Sequence, residues 1–129
     1  MKKQVPTNGR NSKRGYRGVQ IRKDLRLAIY LRDEFHCVYC GKNLHRAKQE
    51  DVTLDHLTPD SKGGSNEPKN LVTACRRCNC SRQDKPWRQY ATGGAVAHIK
   101  KVVRRQIKGY RDLAKAIIAG KITDPRHSK

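Results

Sequence analysis

Two Cys-x-x-Cys pairs constrain this 129-residue chain more than any other feature: Cys37 with Cys40, and Cys75 with Cys78, separated by the 34 residues numbered 41–74. Paired cysteines at this spacing read as metal knuckles. Zn²⁺ takes four thiolates tetrahedrally, and such a closed site is structural, with no position left for a reacting water. The chain needs a staple of this kind. It is 35% hydrophobic with a single Phe and a single Trp, so its core is small. Zinc would clip the end of one segment to the start of another. Cys80 is a fifth cysteine; it is a spare thiol or a substitute for Cys78.

Charge is the second constraint. Thirty Lys and Arg against eleven Asp and Glu give a net +19, which predicts a polyanion partner, most simply nucleic acid. The charge is uneven: residues 1–32 hold ten basic groups against one acid, residues 95–129 ten against two, and residues 33–94 ten against eight. Two basic flanks surround a nearly balanced centre. The start of the chain has no apolar h-region and no apolar run approaches 18 residues, so neither a signal peptide nor a membrane span is expected. The expected location is cytoplasmic, where cysteines bind metal rather than form disulfides.

The pattern along the chain predicts an α+β protein. Residues 1–18 read as a basic flexible arm. Ile21, Leu25, Ala28 and Ile29 predict a helix ending near Phe35. "VTLDHL" and "LVTAC" read as short strands, and the Pro-, Gly- and Asn-rich stretch between them as loop. A helix is expected from residue 76 to about 90, limited by Pro86. After Gly93-Gly94, Val96, Ile99, Val103, Ile107 and Tyr110 mark one helical face and Lys100, Lys101, Arg104, Arg105 and Lys108 the other. Leu113, Ala114, Ile117 and Ile118 continue the apolar stripe, with Gly109 as a break and Gly120 as a C-terminal cap. The expected division is 1–18 arm, 19–92 core with the knuckles, and 93–129 basic helical extension.

Between the knuckles stand Asp55-His56, Pro59, Gly63-Gly64 and Asn70, then Asn79 directly after the second pair. With Arg32-Asp33 before them and Arg82 and Lys85 after, this order closely resembles the HNH endonuclease family, in the subgroup whose ββα-metal (His-Me) finger is braced by a four-cysteine zinc. The resemblance covers about residues 32–85. It implies a small ββα finger, flanked here by an N-terminal helix and C-terminal helices. In the family, the carboxylate beside the His and the Asn after the second pair hold a catalytic ion, which carries over to Asp55 and Asn79. The middle Asn, here Asn70, steadies the loop and orients the His. The final His of the family's name is Asn79 in this chain, which favours hard ions such as Mg²⁺ over His-bound transition metals.

Chemistry agrees with this reading. Phosphodiester hydrolysis needs an activated water, and His is the side chain suited to accept its proton near neutral pH; His56 is the expected general base. Oxygen ligands from Asp55 and Asn79, with water completing the shell, suit Mg²⁺, and Mn²⁺ should substitute. The expectation is a DNA endonuclease or nickase, acting on double-stranded DNA, with Arg76, Arg77, Arg82 and Lys85 touching phosphates. A zinc-stapled nucleic-acid-binding module without catalysis, or a nuclease acting on RNA, are the alternatives. On a regular strand Asp55 and His56 would point to opposite faces; Asp55 is expected to face the helix carrying Asn79, with the ion between them, and His56 to lie where the strand gives way to the loop before Pro59, so that strict alternation need not hold.

Deleting residues 1–18, which carry six of the thirty Lys and Arg, should weaken DNA binding and flatten its salt dependence. Each phosphate that the arm neutralises accounts for about 0.9 of the slope of log K against log[salt]. An unchanged slope in a salt titration would exclude the arm from the interface.

Overall fold

A computed structural model describes residues 21–127; the basic arm expected at 1–18 lies outside them. Among the described residues, five α-helices and one two-stranded antiparallel sheet make an α+β fold. The first helix, α1, spans Lys23–Arg32, with Asp24 in its first turn and Arg32 in its last, both signs complementing the helix dipole. It ends three residues before Phe35. The Asp33 carboxylate accepts hydrogen bonds from the Arg32 side chain and the Thr73 backbone N–H, and this pulls the chain out of the helix. Glu34 and Phe35 then turn at φ 57° and 53°, delivering the chain into the first cysteine pair.

Strands β1 (Val52–His56) and β2 (Leu71–Cys75) pair in unbroken register, from Val52 opposite Cys75 to His56 opposite Leu71. Helix α2 (Arg76–Arg82) follows β2 without a linker, which completes the ββα unit. The single helix expected over 76–90 is two. Gln83 takes φ 54°, and the Arg82 Nε–H donates to the Lys85 carbonyl across the turn, before α3 (Trp87–Tyr90) begins behind Pro86.

Helices α4 (Ala95–Val103) and α5 (Lys108–Ile118) are separated at residues 104–107, earlier than the break expected at Gly109. Gly109 lies in the first turn of α5, where a helix tolerates it because its N–H has no intrahelical partner to lose. Gly120 ends α5 at φ 79°, and the Lys121 N–H closes the cap on the Ala116 carbonyl.

Burial sorts the apolar positions into two clusters. One gathers Leu27, Ala28, Tyr30, Leu31, Phe35, Leu44, Val52 and Ala74 around three of the paired cysteines, with Ala114 of α5 packed into it. The other joins Val38, Leu57, Val72 and Ala91 to Ile99 and Val102 of α4. The C-terminal helices therefore belong to both cores. Ile118, expected on the apolar stripe, is 51% exposed because α5 ends there.

Helix α5 is tied to α1 by Arg111, whose Nε lies 3.0 Å from the Asp24 carboxylate. That hydrogen bond, opposed by burial and aided by the Arg111 and Arg22 charges, holds Asp24 below the usual carboxylate range. A carboxyl whose pKa is depressed by folding contributes stability above its unfolded pKa and loses it as pH falls through the folded value. Asp24→Asn should therefore cost roughly 0.5–1 kcal/mol at pH 7. The gap between variant and parent in thermal melts should close as the pH drops below the ordinary carboxylate range; a constant gap would contradict the pairing.

Candidate active site

The cysteines meet first. The Sγ atoms of Cys37, Cys40, Cys75 and Cys78 all lie within 4.8 Å of one another, and Cys40 and Cys75 approach to 3.9 Å. Tetrahedral ligation at about 2.3 Å per bond places sulfurs about 3.8 Å apart, so the four thiols are positioned to bind one metal ion. Burial pushes the Cys37 and Cys78 thiols up from the ordinary range. A cation reverses that by binding thiolate, releasing protons as it does so. Interaction with the Cys78 sulfur, and burial, push the Tyr90 phenol up to about 12. Cys80 is exposed and outside the cluster, which includes Cys78.

Strand β1 and helix α2 carry the residues expected to do chemistry. Helix α2 crosses the side of β1 that bears Thr53 and Asp55, two residues apart and so on one face. Asn79 and Arg82, one turn apart on α2, meet them in turn. The Asn79 Nδ2 donates to Thr53 Oγ1 at 3.0 Å and to the Leu54 carbonyl at 3.2 Å. Arg82 Nη1 lies 2.6 Å from Asp55 Oδ2. Tyr39, between the first two cysteines, donates its hydroxyl to the same carboxylate oxygen. Burial and the Asp55 charge push the Tyr39 phenol well above its ordinary range, so it remains a donor.

One expectation, for Arg82, needs correction here. His56 stands where β1 gives way to the loop, as expected, and the pairing of Asp55 with Val72 and His56 with Leu71 stays regular up to that point. Asp55 faces α2 as expected, and Arg82 of that helix pairs with its carboxylate. Arg82 itself is not a phosphate contact. It is 1% exposed and its guanidinium is used inside the fold, on Asp55 and on the carbonyls of His56, Leu57 and Lys85. Arg76, Arg77 and Lys85 are exposed and available.

The oxygens left over matter. Among the described residues, Asp55 Oδ1 and Asn79 Oδ1 accept no hydrogen bond, because Arg82 and Tyr39 use the other carboxylate oxygen and Asn79 faces the strand through its nitrogen. One carboxylate oxygen and one amide oxygen form a hard donor set of the kind Mg²⁺ takes along with waters.

His56 is the last residue of β1 and is half-buried. Asn70 ties the following loop: its Oδ1 accepts from the Thr58 N–H at 2.8 Å, and its Nδ2 donates to the carbonyls of Thr58 and Ser65. The loop closes tightly enough that a Cβ on Gly64 would stand 1.7 Å from the Thr58 carbonyl oxygen, which requires glycine there. Sequence reasoning passed over Tyr39 and Asn66. Asn66 Oδ1 lies 2.7 Å from His56 Nε2. Position alone gave no signal for either, since each acts across a gap in the chain.

Comparison with known proteins agrees with the geometry. Residues 37–87 match a family described as HNH endonuclease, and this central segment of the chain belongs to that family. The chain is 33% identical over 78 residues to the CRISPR-associated endonuclease Cas9 of Actinomyces naeslundii, a match covering 58% of this chain and 7% of the relative. It is 32% identical over 92 residues to the CRISPR-associated endonuclease Cas9 of Corynebacterium diphtheriae, covering 68% of this chain and 8% of the relative. The chain thus spans less than a tenth of the length of these relatives. No solved structure matches it significantly. No helix among the described residues is long and apolar enough to cross a membrane.

Cys37→Ser should abolish stoichiometric metal in elemental analysis and remove the cooperative melt, since structural metal sites in small domains contribute on the order of 10 kcal/mol to folding. Cys80→Ser should change neither. Metal retained at parental stoichiometry in Cys37→Ser would overturn the four-thiol assignment.

Proposed function

We propose that the chain is a metal-dependent DNA endonuclease or nickase, with His56 as general base, Asp55 and Asn79 holding a catalytic Mg²⁺, and Zn²⁺ as the structural ion on Cys37, Cys40, Cys75 and Cys78. One observation carries this reading. Asp55 and Asn79, on facing sides of β1 and α2, each keep an oxygen free of hydrogen bonds among the described residues, and Asp55 is one residue from a half-buried imidazole. A purely structural role for these groups leaves both oxygens unexplained. The relatives' designation as endonucleases supports the same reaction.

His56 takes a proton from water, the water oxygen bonds to phosphorus, and the P–O3′ bond breaks, leaving a 5′-phosphate and a 3′ oxygen that gains a proton. Arg82 and Tyr39 hold Asp55 in place. Asn70 holds the loop beside His56. The divalent ion, when bound, supplies Lewis-acid stabilisation of the phosphate and the departing oxygen. Mn²⁺ meets the same donors and should replace Mg²⁺. Arg76, Arg77 and Lys85, all exposed, are the phosphate contacts beside the site.

Purified protein should nick or linearise plasmid DNA in Mg²⁺, and His56→Ala should slow this by about 10²–10⁴-fold, the range for losing a general base. Labelled DNA and RNA compared side by side give the substrate. Full activity in His56→Ala removes His56 as the base; binding without cleavage in either Mg²⁺ or Mn²⁺ marks a non-catalytic binding module.

A further inference from the structure

The contact between His56 and Asn66 says which atom of the imidazole does the chemistry. Asn66 Oδ1 lies 2.7 Å from His56 Nε2, and an amide oxygen can only accept. The neutral ring must therefore carry its proton on Nε2, leaving the lone pair on Nδ1. Among the described residues, Nδ1 has no hydrogen-bond partner.

The loop between the strands is built to hold this contact. Asn70 Nδ2 donates to the Ser65 carbonyl, immediately before Asn66, and to the Thr58 carbonyl, two residues after His56. The same amide accepts from the Thr58 N–H. The Asn70 carbonyl accepts from the Leu57 N–H at 2.9 Å. The Gly64 N–H bonds the Pro59 carbonyl, and the close approach of Gly64 to Thr58 shuts the loop from the other side. Asn70 is not hydrogen-bonded to the imidazole among the described residues; it acts on His56 by fixing both the segment that follows it, at Leu57 and Thr58, and the segment that carries Asn66.

We propose that Asn66 is the positioning residue of the active site: it locks His56 in the Nε2–H tautomer and so makes Nδ1 the atom that accepts the proton of the attacking water. The proposal rests on His56 being the general base. The water O–H bond breaks, its proton joins Nδ1 while Nε2 keeps its own, and the hydroxide oxygen bonds to phosphorus as the P–O3′ bond opens. The developing positive charge on the ring is met by the Asn66 oxygen through the strengthened Nε2–H bond.

The test combines nitrogen NMR of ¹⁵N-His-labelled full-length protein with steady-state cleavage of DNA. His56 in the parent should show the shift pattern of an Nε2–H imidazole at a pH where it is neutral. Asn66→Ala should mix the tautomers and lower kcat by about 10–100-fold, the usual cost of losing a partner that orients a functional His, with KM for DNA unchanged. Asn66→Asp, which restores an acceptor at the same place, should recover most of kcat. An Nδ1–H parent tautomer overturns the proposal, as does Asn66→Ala with parental tautomer and kcat. Should Asn66→Ala fail to fold, the parent spectrum decides by itself. His56→Ala runs in parallel: full activity there defeats the general-base reading, whereas an inactive His56→Ala beside a fully active Asn66→Ala defeats only the role of Asn66.

Discussion

Two buried guanidinium–carboxylate pairs make this fold possible. A sheet of two strands is marginal by itself, and here each strand depends on an arginine. Arg32 and Asp33, both with side chains at 0% exposure, serve β2: Arg32 bonds the Leu71 carbonyl and Asp33 accepts the Thr73 N–H. Arg82 and Asp55 serve the end of β1, where Arg82 also bonds the carbonyls of His56 and Leu57. Removing one member of such a pair leaves a buried charge alone, at about 3–5 kcal/mol. The two pairs thus replace the neighbouring strands that a larger sheet would have.

The proposed catalytic carboxylate is one of these four groups, and that ties function to fold. Asp55 reaches its position through Arg82, on the helix that also carries Asn79, and through Tyr39, inside the first cysteine knuckle. The four-thiol cluster is therefore connected to the proposed active site by one side chain, Tyr39, and by the placement of α2, which starts at the second knuckle. Loss of the staple would release both. The imidazole is placed differently, by a loop that Asn70 ties and Gly64 closes. Carboxylate and imidazole are neighbours in sequence, leave an unbent strand, and are held by separate devices.

Much of this was legible in the sequence where the signal is local. The cysteine pairs give four thiols because spacing fixes which side chains a tight turn brings together. "VTLDHL" and "LVTAC" read as strands because they are short and apolar between turn-rich segments. Asn70 was readable as a loop tie through the family resemblance, and an amide, with both donors and an acceptor, suits that role. Arg82 was not readable. An arginine two residues from an acid and surrounded by polar groups looks like surface, and only the crossing of α2 over β1 makes it the largest buried side chain but one. The helix break at Gln83 was hidden for the same reason, since a glutamine at positive φ is held by contacts made elsewhere. Val102 completes the buried face of α4 and falls between the positions that the apolar spacing marked.

Charge completes the picture, because the structure divides groups that composition counts alike. In the C-terminal segment, Arg105 pairs with Glu34, Lys108 with Asp112, Arg111 with Asp24 and Arg126 with Asp124. Lys100, Lys101 and Arg104, on α4 and just after it, are exposed and form no ion pair among the described residues. The other face of α4 is fixed in the core by Ile99 and Val102, so these three cations stand on a rigid support. A phosphate backbone meeting the protein gains most from cations whose charge is not already balanced. Both helices pack, α5 through Ala114 and its Arg111–Asp24 pair and α4 through Ile99 and Val102, and cations without an ion pair among the described residues stand on both, Lys100 and Lys101 on α4 and Lys115 on α5.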